Sequence, residues 1–317
     1  MLGLMSIDLN AAASFLTRHG RLLDRRRYEY LCAGGAPEAV LAAVDGYRNP
    51  DGGYGWGLEP DLRAPESQPG GALHAFEVFA ELGPDTTTPR PVQLCDWLET
   101  ITLPDGGLPF ALPVADGRGS APFWVEADPT TSTLHSTAFV TSAALRVAAH
   151  DPAVANHPWT GRAVDYCLAE IDRLDTAPHA IVLSFAVQFL DALSPTRPEA
   201  GDLLDRLRPF FPDDGVVPVA GGSPGEVLRP LDFSPLPDRS SRRLFRPEVI
   251  EAELDRLAAG QHDDGGWAVD FASYSPAAEL EWRGYATVGA IETLRANGRL
   301  TVRATGCGGT PGTARGK

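Results

Sequence analysis

Apolar residues recur at steps of three and four along much of the chain. Leu73, Phe76, Val78, Phe79 and Leu82 follow this spacing, and Gly83-Pro84 then closes the segment as a helix C-terminus should be closed. The same rhythm appears in Ala138, Phe139, Ala143, Leu145 and Val147, in Ile181, Val182, Phe185, Phe189 and Leu190, and in Ala286, Val288, Ile291 and Leu294. Between these apolar helices lie more charged segments, 90–101, 159–173, 199–209 and 247–259, whose pattern suits a helix with one wet face. The pattern predicts about eleven helices and no strand. Val216-Val217-Pro218-Val219 is the one β-like run, and its proline demotes it.

A turn signature punctuates the helices. Asp51-Gly52-Gly53, Asp105-Gly106-Gly107, Asp213-Asp214-Gly215 and Asp264-Gly265-Gly266 stand 54, 108 and 51 residues apart. The double step predicts a decayed copy near Pro158-Trp159-Thr160-Gly161. Each repeat reads as turn, apolar helix, amphipathic helix. About six such pairs fit the length, so the expected fold is an all-α (α/α)6 toroid, one domain over residues 1–300, with an open solenoid as the alternative. Residues 212–245 are rich in proline and read as a long non-helical loop, and the Gly-rich segment 301–317 reads as a disordered tail.

Composition narrows the function classes. The 317 residues carry a formal net charge of −15, which argues against nucleic acid and anionic membranes as partners. Cys32, Cys95, Cys167 and Cys307 are too scattered for a disulfide framework or a paired metal site. No apolar run approaches the ~18 residues of a membrane span, and the first residues do not read as a signal peptide, so a cytoplasmic location is expected.

Two segments resemble the repeat of squalene and hopene cyclases and of protein prenyltransferase β subunits. They are Asp51-Gly-Gly-Tyr-Gly-Trp-Gly-Leu-Glu-Pro-Asp61 and Gln261-His-Asp-Asp-Gly-Gly-Trp-Ala-Val-Asp270. The resemblance implies a barrel of helical hairpins and an isoprenoid or other hydrophobic substrate handled through a cationic intermediate. Magnesium is implied only if that substrate carries a diphosphate. The chain departs from the family's acid motif. Where class II cyclases place Asp-x-Asp-Asp before Thr-Ala, it has Thr133-Leu134-His135-Ser136-Thr137-Ala138, with His135 standing in for the acid. Asp165-Tyr166-Cys167 has the Asp-x-Cys spacing of the prenyltransferase zinc ligands. Arg283 stands where their histidine would be, so no metal site is expected.

Four constellations could carry chemistry. Glu59, Asp61 and Arg63 sit in a proline-stiffened loop, as candidate acid, base and substrate contact or as a simple helix cap. Trp124, Asp128 and His135 flank a run of hydroxyl residues that can bind an anion or cap a helix. Trp56, Trp267 and Trp282, with Asp264 and Arg283, offer aromatic faces that steer cations or fill a core. Arg239, Arg242, Arg243 and Arg246 could clamp a diphosphate or carboxylate. The leading expectation is a cyclase- or prenyltransferase-like enzyme. The rivals are a carbohydrate-active (α/α)6 enzyme with paired carboxylates and a non-catalytic toroid. A closed apolar cavity would favour the first and a long, open, polar groove the second.

Overall fold

A computed structural model describes residues 7–84 and 86–300. The fold among these residues is mostly helical. The α-helices are α1 (Leu9–His19), α2 (Leu22–Ala33), α3 (Pro37–Asp45), α4 (Pro69–Leu82), α5 (Arg90–Ile101), α6 (Pro122–Val125), α7 (Leu134–Ala148), α8 (Pro152–Ala155), α9 (Pro158–Asp172), α10 (Ala180–Leu193), α11 (Glu199–Leu207), α12 (Pro230–Phe233), α13 (Pro247–Ala259) and α14 (Pro276–Ala296). Proline opens many of them, where its missing N–H has no helical partner to lose.

Helices of successive pairs pack on one another: the apolar α4 on α7 and α7 on α10, then α10 on the short α12, and α14 on the arginine-rich α2. Each also packs on a more amphipathic helix, giving the pairs α2/α3, α4/α5, α7/α9, α10/α11 and α12/α13. The sixth pair joins the two ends of the described chain, α14 with α1. Gln261 fastens this closure: its Oε1 accepts from the Asp8 amide and its Nε2 donates to the Asp8 carbonyl, both at 2.9 Å.

The Asp-Gly-Gly turns follow one template. Gly52, Gly106 and Gly265 have φ of 94°, 91° and 94°, open to glycine and strained for other residues. In each, the aspartate Oδ1 accepts the amide of the second glycine, at 2.9 Å from Gly53 and 3.1 Å from Gly107 and Gly266. The first glycine lies flat on the amphipathic helix of the next pair. A β-carbon on Gly52 or Gly106 would stand 3.0 Å from the carbonyl oxygens of Gln93 in α5 and Arg162 in α9, and one on Gly265 would collide with Ala11 in α1. The next residue then hooks the apolar helix: the Leu108 amide donates to Thr137 Oγ1 at 2.9 Å, and the Trp267 amide to Thr287 Oγ1 at 3.0 Å.

Several expectations are corrected. Fourteen α-helices are present among the described residues, because α6, α8 and α12 are single turns too short for periodicity to reveal. Pro158-Trp159-Thr160-Gly161 is no decayed turn; it opens α9, and the connection to α10 runs over 173–179 without the glycine pair. The chain is also not free of strands. Leu108–Pro109 pairs with Ser132–Thr133, and Val217–Pro218 with Val227–Leu228, as antiparallel two-stranded ribbons. A two-stranded ribbon has only edges, so Pro218 fits where a central strand would reject it. The loop 212–245 therefore contains a ribbon, α12 and a 3-10 turn at Ser240–Leu244. The expected disordered tail, with Cys307, lies outside the described residues. None of the described helices is long and apolar enough to cross a membrane.

The template makes a stability prediction. Gly265→Ala should destabilise far more than Gly34→Ala. Both have positive φ, costing about 1–2 kcal/mol for alanine, but a β-carbon on Gly34 meets nothing within 4 Å. Urea unfolding of the two variants, with equal losses, would show that the turn does not rest on α1.

Candidate functional site

The first turns of α4, α7 and α14, with their loops, carry a layer of aromatic rings. Phe110 stacks on Trp124 with centroids 4.4 Å apart and touches His135 at 5.0 Å; His135 also meets Phe139 and Phe185 at 5.4 Å. Phe123 extends the layer to Tyr274, edge to face at 5.5 Å. A second string runs from Phe271 through Trp282 to Tyr285 and His74. Asp61 joins the two strings. Its Oδ1 accepts from the Tyr274 amide at 3.1 Å and its Oδ2 from Trp282 Nε1 at 2.7 Å. Burial raises the Asp61 carboxyl above its ordinary range, and these two donors pull against that rise.

Beneath this layer four polar side chains form a chain. Glu59 Oε2 lies 3.1 Å from His74 Nε2, His74 Nδ1 lies 2.8 Å from Glu77 Oε2, and Tyr285 donates its hydroxyl to Glu77 Oε1 at 2.9 Å. Burial alone would lower the pKa of His74; hydrogen bonds to the two carboxylates outweigh it and raise it to about 9. His74 is thus an imidazolium donating from both nitrogens at neutral pH. Glu77 is lowered: burial opposes its charge, but His74, Arg27 and Tyr285 together hold the ionised form.

Further along the same helices is a cavity of about 210 Å³. Arg27 of α2, Glu77 of α4, Arg146 of α7, Gln188 and Asp191 of α10, Asp232 of α12, and Tyr285 and Glu292 of α14 line it, and Arg239 enters from the loop after α12. Each of these helices contributes a polar side chain, but Leu73, Leu231, Phe233 and Leu236 line the cavity as well, so its wall is about evenly divided between polar and apolar surface. Arg27 is fixed by Glu81 at 2.7 Å. Asp232 is exposed and opens onto the cavity. Desolvation by the protein around its carboxyl raises its pKa to about 6, against the Arg229 amide that donates to Oδ2 at 2.7 Å.

The structure distributes the sequence candidates unevenly. Asp61, Trp124, His135 and Trp282 meet in the aromatic layer, with Glu59 just behind it. Burial, then His179, lowers the pKa of His135 to about 4, so at neutral pH it is an uncharged ring with no proton to give as an acid. Asp128 is exposed and braces its own loop, accepting from the Thr130 amide at 2.9 Å and from the hydroxyls of Thr130 and Thr131 at 2.6 Å; its pKa falls to about 2. Trp56 is 60% exposed and donates to Asn49 Oδ1. Arg63 forms a two-pronged pair with Glu281 at 2.6 and 3.2 Å. Trp267 is buried, bonded to the Leu257 carbonyl, and Asp264 pairs with Arg283, whose guanidinium lies 4.5 Å from the Phe15 ring centre. Arg242 holds Leu236, Pro235 and Asn297, and Arg243 holds Asp205 and Gly201. Neither lines the cavity.

Asp232, Glu77 and Arg146 escaped the sequence reading. Glu77 and Arg146 sit among apolar helical positions and carry no motif; only their place on the inward face of a helix distinguishes them. Cys95 and Cys167 are buried, and burial pushes the Cys95 thiol up to about 12, so it is inert. No protein-family model matches the chain, and no curated protein matches it.

The buried imidazolium predicts a pH dependence. The folded-state pKa of His74, about 9, lies above its ordinary value of 6.5. Its stabilisation is therefore fully present below about pH 6.5 and is lost as pH rises through 9. Chemical denaturation from pH 6 to 9.5 should show stability falling, and His74→Gln should flatten the slope; an unchanged slope would refute the assignment.

Proposed function

We propose that the six helix pairs close into an (α/α)6 toroid, and that its central cavity is the site of an acid–base enzyme acting on a small, hydroxyl-rich substrate. Support for the ring comes from the sixth pair, made by α14 and α1, and from the Gly265 turn resting on α1. The observation that carries the functional reading is a pair of carboxyl groups driven apart in one cavity. Asp232 is raised to about 6 and Glu77 is lowered. Separated carboxyl pKa values assign an acid and a base. Asp232 donates the proton to a leaving oxygen, and Glu77, held ionised by His74, serves as base or nucleophile. The size of the cavity supports one sugar-sized ring, being smaller than the roughly 300–1,000 Å³ of drug-sized pockets.

The test is release of reducing ends or 4-nitrophenol from a panel of glycosides. Asp232→Asn and Glu77→Gln should each lower kcat by about 10²–10⁴-fold, the usual worth of a positioned acid or base. Activity should fall as pH rises through about 6, where Asp232 loses its proton. Turnover that survives both substitutions would remove the reading.

A second reading follows from the aromatic layer. Its rings offer faces to a carbocation, as the resemblance to terpenoid cyclases and prenyltransferases suggests, with Asp61 as the nearest carboxyl. Incubation with farnesyl diphosphate, geranylgeranyl diphosphate and squalene, with and without magnesium, separates the two. A new hydrocarbon or alcohol that Asp61→Asn abolishes would favour this reading over the polar one. The rings fill their own layer, whereas the cavity leaves open space beside Glu77 and Asp232, so the cavity reading has the stronger geometry.

A further inference from the structure

Of the arginines at 239, 242, 243 and 246, three are committed elsewhere. Arg242 and Arg243 bind backbone and side-chain oxygens, and Arg246 faces Glu248 at 3.4 Å on the surface. Arg239 differs. Its side chain has no hydrogen-bond or ion-pair partner among the described residues, and it lines the central cavity. Asp238, immediately before it, has φ of 55°, a left-handed conformation that is uncommon outside glycine. Arg146 lines the same cavity and meets only Glu292, at 3.8 Å. Two guanidiniums with open donors therefore line one cavity, and a planar two-oxygen anion can satisfy them.

The charge of the lining limits which anion fits. Arg27, Arg146 and Arg239 face Glu77, Asp191, Asp232 and Glu292, and Arg27 is already paired with Glu81. A dianion such as a phosphate would meet four acidic side chains. A carboxylate brings a single charge and the planar geometry that matches the guanidinium fork. Gln188, Ser142, Thr293 and Tyr285 also line it; Ser142, Tyr285 and Gln188 Nε2 already donate within the protein, which leaves their oxygens to accept from a ligand's hydroxyls.

We propose that the cavity takes a compact polyhydroxylated carboxylate, a sugar acid, with its carboxylate held by Arg239 and Arg146. The inference rests on the acid–base reading of the same cavity and names its substrate class. Titration calorimetry on the full chain would compare glucuronate, galacturonate and gluconate with glucose, galactose and glucose 6-phosphate. At least one carboxylate should bind tenfold or more tightly than its neutral counterpart and than the phosphate. Arg239→Gln and Arg146→Gln should each remove most of that preference, Arg239→Lys should keep part of it, and Arg246→Gln should leave it unchanged. Circular dichroism establishes that the variants fold. Equal binding of acids and neutral sugars, a preference for the phosphate, or an Arg239→Gln variant that binds as the wild type does would overturn the inference. Asp232→Asn should bind the carboxylate at least as tightly as the wild type does, since it removes one acidic side chain from the lining. Carboxylate preference abolished by Arg239→Gln, with turnover preserved in Asp232→Asn, would leave the ligand class standing and remove only the assigned acid.

Discussion

The architecture depends on one close approach. At each regular Asp-Gly-Gly turn, the first glycine lays its backbone against the backbone of the neighbouring amphipathic helix, where no β-carbon fits. The aspartate locks the turn from inside, and the following amide hooks a threonine on the apolar helix. Three layers are thereby registered by four residues. Apolar burial supplies most of the driving force but does not discriminate among ways of stacking amphipathic helices. The turn supplies that discrimination.

With the helices so registered, the interior is divided by chemistry. Near the helix N-termini the inward positions are rings; a few turns on they are charges. Charge is costly to bury unless it is paired, and most of the interior charges are paired: Arg21 with Asp24, Arg27 with Glu81, and His74 with two carboxylates. The pairing is incomplete at Arg239 and Arg146. Removing a partner from a buried ion pair costs several kcal/mol in comparable proteins, about 3–5. Cavity groups left with free donors and acceptors are thus the place where an added ligand gains most.

The helices were legible because 3.6-residue periodicity is strong over long elements. Segments 90–101 and 247–259 match α5 and α13 residue for residue, since a proline or glycine marks their ends. Single turns such as α12 were not legible, because four residues hold no period. The ribbon at Val217–Pro218 was misjudged because the proline rule applies to central strands. Within the site, Asp61 and Trp282 drew attention through local density of unusual residues, and they do meet. Asp232 lies in a stretch that reads as loop, and its elevated carboxyl arises from desolvation by the protein around it. Long-range desolvation of this kind leaves no local trace. The arginine run reads as a cluster, but sequence could not show that Arg239 would line the cavity while Arg243 and Arg246 are exposed.

The joint between Gln261 and Asp8 has a consequence for how the chain acquires its form. Those two residues are 253 positions apart, and although α1 can meet α2 early, its contact with α14 forms only when α14 is in place. During synthesis α1 leaves the ribosome early, with Ala12, Phe15 and Leu16, buried in the finished protein, still uncovered. The five other pairs can assemble in order as they emerge, whereas the contact of α14 with α1 joins segments far apart in sequence. High-separation contacts form late and leave apolar surface exposed meanwhile. A nascent chain of this kind carries the face of α1 that α14 will cover through most of its synthesis.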